Sequence, residues 1–235
     1  MISTRERSKE REIMDDFTLE GAYLRDNLDI LATINKWLGG NRISLKGVER
    51  LVAEQSKQRE IVIVDLGCGN GDMLRRIARL GVKLGYNFKL IGVDANQDTI
   101  KYAEELSVAY KNITYLQLNI FSEAFQELEY DIALLTLFLH HLDDKELIYH
   151  LNWLKKQTKL GIVVNDLHRS KLAYCLFYVI SLVFNNKIVR NDGLVSILRS
   201  FKKSELENYA KEIKVKSEIS WRWAFRFQWI MYTKI

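Results

Sequence analysis

Apolar residues return at helical spacing in the first part of the chain. Ile13, Phe17, Leu24, Leu28, Leu31, Ile34 and Leu38 fall on one face and predict one or two helices over 5–38. Gly39-Gly40 is expected to stop them, and a further short helix is expected over 45–56. The pattern then changes. Ile61–Leu66 is a short β-branched run ending at glycines, the signature of a strand buried on both faces of a parallel sheet. Four more such runs follow, Phe88–Val93, Ile113–Leu118, Tyr130–Thr136 and Gly161–Asn165, with helical stretches at 72–84, 97–110 and 143–157 between them. Alternation of this kind predicts an α/β fold with a doubly wound, mostly parallel sheet. An apolar helical insertion at 170–200 breaks the rhythm. A helix over Ser204–Lys211, with Ser204 and Glu207 in capping-box positions, follows. Val215–Trp221 and Phe225–Thr233 close the chain as an expected antiparallel hairpin, for about seven strands in all. The expected division is an N-terminal helical cap at 1–56 and a main domain at 57–235 carrying the insertion as a lid. In the hairpin, Trp221, Trp223, Phe225, Phe227 and Trp229 alternate and are expected to share one core-facing side.

The sharpest chemical signal is Val64-Asp65-Leu66-Gly67-Cys68-Gly69-Asn70-Gly71, at the end of the first strand and before a helix. Glycine is needed where backbone approaches a ligand or adopts positive φ. A loop here lies at the carboxyl edge of the sheet, where open α/β sheets bind ligands. The helix after it offers free N–H groups and the positive end of its dipole, which suit a carboxylate. A dinucleotide site spaces its glycines G-x-G-x-x-G. Here the spacing is Gly67, Gly69, Gly71, and the third dinucleotide position is Asp72, whose charge would repel a pyrophosphate.

VDLGCGNG resembles the first motif of the class I S-adenosylmethionine (SAM)-dependent methyltransferases, and the resemblance runs over roughly 60–166. It is nearest to small-molecule methyltransferases, such as those of ubiquinone, menaquinone and polyketide biosynthesis. The resemblance implies a Rossmann-like fold and SAM as cofactor. It implies that Asp65, Gly67, Cys68, Gly69 and Gly71 form the methionine side of the site. It assigns Asp94, followed by Ala95, to the ribose hydroxyls, a bidentate task that suits a carboxylate. Asn119 stands where the family often has an acid for the adenine amino group, and its carbonyl can accept the same bond. Ile120 would pack on the adenine, and Thr136 would lie within reach of the cofactor.

Methyl transfer is an in-line displacement from a sulfonium, for which the protein mainly aligns the reacting atoms. A hydroxyl acceptor profits from a base, and histidine suits neutral pH. Of four histidines, His140 and His141 follow the fourth strand and His168 follows the fifth, so these are the candidate bases, His168 first. His150, in mid-helix, is expected to pack or face solvent. The spacing of the two cysteines and four histidines matches no metal-ligand pattern, so no metal is expected.

Composition narrows the picture further. Two cysteines build no disulfide framework and fit a reducing cytoplasm. The first twelve residues carry no apolar stretch of signal-peptide type. Leu172–Phe184, the longest apolar run, falls short of the ~20 residues of a membrane span, though it leaves peripheral contact open. The net charge of +5 is scattered, without the dense basic tract of a nucleic-acid binder. The apolar insertion points to a small lipophilic or aromatic acceptor, with a hydroxyl favoured; the protein is expected to be a monomer or homodimer, with no nucleic-acid partner. An RNA or protein methyltransferase and a catalytically silent SAM-binding protein are the alternatives.

Overall fold

A computed structural model describes residues 2–233. Its centre is a seven-stranded sheet in the order β3-β2-β1-β4-β5-β7-β6. The strands are β1 (Glu60–Leu66), β2 (Asn87–Asp94), β3 (Ile113–Gln117), β4 (Ile132–Thr136), β5 (Gly161–Leu167), β6 (Lys216–Arg222) and β7 (Arg226–Tyr232). The first five are parallel, and β7 pairs antiparallel with both β5 and β6. This is the Rossmann-like arrangement expected from the strand–helix alternation. β1 and β4 are buried along almost their whole length because helices cover both faces.

The helices are α1 (Gly21–Trp37), α2 (Gly40–Val52), α3 (Asp72–Leu84), α4 (Gln97–Leu106), α5 (Glu123–Gln126), α6 (Asp144–Gln157), α7 (Lys171–Ser181), α8 (Lys187–Arg199) and α9 (Lys203–Glu212). Leu147, Leu151 and Leu154 of α6 pack on one side of the sheet with Phe201 and Trp229. Ile77, Leu74 and Phe88 pack on the other, where Val48 and Val52 bring α2 into the same layer. Gly47 of α2 allows that contact, since a Cβ there would meet Val163 of β5 at 2.4 Å.

The register brings the functional edge together. Leu66 is level with Val93 on one side and Leu135 on the other, so the ends of β1, β2 and β4 lie side by side.

Several local expectations are corrected. Residues 5–20 are not a helix but an extended strap with one 3₁₀ turn at Ile13–Asp15. Their few apolar groups, Ile13 and Phe17, remain exposed, so no buried face sustains a helix. α1 does stop just before Gly39-Gly40, but the break is only Leu38 and Gly39, the latter at φ 72°, and the next helix, α2, begins at Gly40 rather than at 45. α4 ends at Leu106, short of the expected 110. The cap of α9 lies two residues before Ser204–Glu207: Glu205 accepts from the Lys202 N–H at 2.7 Å. In the hairpin, Phe227 and Trp229 are core, whereas Trp221 and Trp223 are exposed, because β6 is an edge strand.

Candidate functional site

The glycine loop after β1 is built from backbone that only glycine adopts freely. Gly67, Gly69 and Gly71 have φ of 67°, 52° and 75°. Two of them are also crowded. A Cβ on Gly67 would meet the Phe138 ring at 2.4 Å, and one on Gly71 would meet the Tyr115 hydroxyl at 2.0 Å. Gly67 and Cys68 donate to the Val93 carbonyl, which ties the loop to the end of β2. Gly69 N–H donates to Asp94 Oδ2 at 3.2 Å, and Asn96 N–H donates to Asp94 Oδ1 at 3.1 Å. Asn96 caps α4 through Thr99 N–H.

Asp65 is buried and Asp94 half-buried beside it. Burial pushes the Asp65 carboxyl up to about 8, and the like charge of Asp94 adds to the rise. Burial also raises Asp94, against hydrogen bonds from Asn96 and Gly69 that lower it. A cationic ligand relieves such a pair, and SAM carries a sulfonium and an ammonium. The glycine cradle, the acid at the end of β2 and a pair of carboxyls whose ionisation a bound cation would favour all fit that cofactor.

Asn119 is exposed at the end of β3, with its carbonyl on the Phe121 N–H. Ile120 packs against the core beside it, and Ala95 is half-buried next to Asp94. Thr136 ends β4, its hydroxyl 2.8 Å from Ser44 of α2. Beyond it Leu137 has φ 54°, a strained conformation for a branched side chain, and the turn lays Phe138 on Gly67.

The histidines divide. His140 is fully buried, its Nδ1 2.7 Å from Asp166 and its N–H on the same carboxylate. Burial alone would lower its pKa, but Asp166 and Glu12 outweigh that and push it up to about 9. His141 lies 2.7 Å from Asp15, and its ring is 6.2 Å from that of Phe138. His168 follows β5, where Trp221 Nε1–H donates to its Nδ1 at 3.3 Å and Phe227 packs on its ring. Burial, Arg169 and Lys202 lower its pKa, keeping it neutral at pH 7. His150 is buried among Phe125 and Trp153.

A roof over this edge comes from the N-terminal strap and α1. Leu28 stands above Gly69, and Asp29 accepts from Asn70 at 2.9 Å. Asn96 Nδ2 donates to the carbonyls of Phe17 and Leu19. Phe138, Asn96, Asn70, Glu12 and Asp15 were not among the sequence-predicted site residues. Asn70 stands inside the glycine motif and Asn96 just before a helix, but neither position alone shows the contact it makes.

A methyltransferase-domain family model matches residues 57–214. This chain belongs to the class I SAM-dependent methyltransferases. Among solved structures, the plantazolicin methyltransferase BpumL in complex with S-adenosylhomocysteine (SAH) superposes with a TM-score of 0.66 at 16% identity, over 88% of this chain and 89% of that one. The magnesium protoporphyrin IX methyltransferase ChlM of Synechocystis PCC 6803, also with bound SAH, gives 0.53 at 14%, over 82% and 83%. The CMeT domain of the citrinin polyketide synthase gives 0.60 at 12%, over 80% of this chain and 50% of that one. Among curated proteins, none matches the chain in sequence. SAM is thus the methyltransferase's cofactor, and its methylated product leaves SAH behind. No described helix is long and apolar enough to cross a membrane.

Proposed function

We propose that this methyltransferase moves the methyl group to a hydroxyl of a small lipophilic or aromatic acceptor. The observation that carries the reading is the apolar surface of α7 and the turn after it, which follow directly from the carboxyl end of β5. Leu172, Leu176, Val179, Leu182 and Val183 are all exposed there. An apolar patch of this kind marks a binding surface rather than packing. The plantazolicin methyltransferases, similar in fold, bind azole-containing desmethylPZN analogues, which fits a small organic acceptor.

In this reading the loop Gly67–Gly71, with Cys68 between, carries the methionine portion, Asp65 faces its positive charge, and Asp94 with Ala95 holds the ribose. Asn119 and Ile120 receive the adenine, and Thr136 borders the sulfur side. SAM supplies the electrophilic methyl. The protein holds acceptor oxygen, methyl and sulfur in line and keeps water out beneath the strap. His168 takes the hydroxyl proton: it is neutral at pH 7, half-buried, and releases only one weak indole bond to do so. His141, beside Phe138, borders the site, while His140, buried on Asp166, supports the turn behind it.

The test is SAH release from SAM with a panel of phenolic lipids, alongside RNA and protein acceptors. Turnover on phenols, with His168→Ala lowering kcat roughly 10²- to 10⁴-fold while SAM binding holds, is the expected result. Turnover only on RNA or protein would move the acceptor class. Tight SAM binding with no turnover on any acceptor would favour a silent SAM-binding protein.

A further inference from the structure

A side chain from near the start of the chain meets two neighbouring histidines behind the turn that follows β4. Glu12 comes from the strap, and His140 and His141 from the turn. Glu12 Oε1 lies 3.3 Å from His140 Nε2 and 3.9 Å from His141 Nδ1. One donor atom from each of the three falls within 4.8 Å of the others. Glu12 is 9% exposed and His140 2%. Glu12 Oε1 and His140 Nε2 face each other at ion-pair distance but are poorly aligned for a hydrogen bond, and among the described residues neither has another hydrogen-bond partner. Two such buried atoms are costly to leave unmatched. Here they converge on one point.

The surroundings prepare the imidazoles as ligands. Asp166 Oδ1, 2.7 Å from His140 Nδ1, holds a proton on Nδ1, so a metal ion that displaces the Nε2 proton would find the lone pair on the atom facing Glu12. A carboxylate behind a histidine in this way fixes its tautomer and strengthens it as a ligand. Asp15 Oδ1 lies 2.7 Å from His141 Nδ1 and offers a further oxygen. Charge is compatible with a cation there. The carboxylates of Glu12, Asp15 and Asp166 face two guanidiniums, Arg199, which bonds Asp15 at 2.7 Å, and the buried Arg226, whose charge acts on Asp166. Arg7 is paired with Asp144. Three carboxylates against two guanidiniums leave a net negative charge, which a bound cation offsets.

We propose that Glu12, His140 and His141 form a binding site for a divalent transition-metal ion, with Asp15 as fourth ligand and Asp166 orienting His140. Two imidazoles with carboxylates are a donor set for zinc, while magnesium and calcium prefer oxygen alone. Sequence spacing hid this site because Glu12 and Asp15 come from the other end of the chain. The ion staples the strap to the β4 turn and so fastens the roof over the cofactor edge. The site stands whatever the methyl acceptor is.

The experiment is zinc titration of the metal-stripped full chain against a chromophoric chelator, with cobalt(II) loaded separately for its visible spectrum. One tight equivalent per chain is expected, weakened at least tenfold in Glu12→Gln and His141→Gln, and roughly 10- to 100-fold in Asp166→Asn. Circular dichroism checks that the variants fold. If they do not, the wild-type cobalt spectrum decides: intense tetrahedral bands at one equivalent support the site, and the weak spectrum of the aqueous ion overturns it. No stoichiometric zinc binding, or binding unchanged in both Glu12→Gln and His141→Gln, would also overturn it and leave the cluster as a hydrogen-bonded network that ties the strap to the turn.

Discussion

Asp94 receives two backbone N–H groups, from Gly69 and Asn96, which fix its carboxylate at the end of β2. Fixed in this way, it can accept from both ribose hydroxyls without first being ordered. Asp94→Ala should weaken SAM and SAH binding roughly 10- to 100-fold, the equivalent of one charged hydrogen bond at about 1.5–3 kcal/mol. Calorimetry with NAD as control measures it, and unchanged affinity would remove Asp94 from the site. Asp65 supplies a second prediction. Its carboxyl, pushed up to about 8 from an ordinary 3.8, is protonated in the free protein at pH 7. A bound cation favours the carboxylate, so SAM binding should release a proton. Affinity should therefore rise with pH up to about pH 8, by at most tenfold per unit, and then level. SAH, lacking the sulfonium, should show a smaller rise. A flat SAM affinity across this range would mean that Asp65 does not sense the cofactor. At this scale the glycine loop and Asp94 were legible because each combines a residue type with a position at a strand end. Glu12 and Phe138 were not, since their roles arise from contacts across the fold.

Elements with a continuous apolar run or a one-sided apolar face were legible. β1, β2 and β5 appear where their Val-, Ile- and Leu-rich runs predict them, and α3 spans 72–84 as expected. The strap was misread because Ile13 and Phe17 happen to fall at helical spacing without a face to bury. It is held instead by side chains of distant elements. Asp192 of α8, 2% exposed, accepts from the Ile13 and Met14 N–H groups at 2.8 and 2.9 Å. α7 was expected to be buried or to line a pocket, being apolar almost all round, yet one side of it faces outward. Periodicity reports that a helix has an apolar face, not what covers it. Asp192→Ala leaves the strap amides without acceptors, at about 1–3 kcal/mol. Hydrogen exchange at residues 13 and 14 should accelerate roughly tenfold or more, while amides of β1 and β4 keep their protection. Equal acceleration everywhere would show that the strap opens only with global unfolding.

Across the whole molecule, the parallel half of the sheet was predictable from alternation alone. The closure around it was not, because it depends on buried polar groups that join distant parts of the chain. Arg169 is the clearest of these. Its side chain is 0% exposed and pairs with Glu205 at 2.5 Å, while its other N–H groups reach the carbonyls of Ser200, Thr4 and Arg5. One guanidinium thus joins the end of β5, the α8–α9 junction and the start of the strap. Arg169→Met keeps the volume but leaves a carboxylate and three carbonyls unmet, and should destabilise the fold by about 3–5 kcal/mol. In denaturant titration the midpoint should fall with the slope unchanged. Adding Glu205→Met removes the unpaired charge but not the orphaned carbonyls, and it also takes the acceptor from the Lys202 N–H that caps α9, a loss that the single Glu205→Met variant measures. The double variant should therefore recover part of the loss and no more. Full recovery would assign the whole effect to the ion pair; no recovery would assign it to the backbone carbonyls, and so to the joining of strap, sheet and lid.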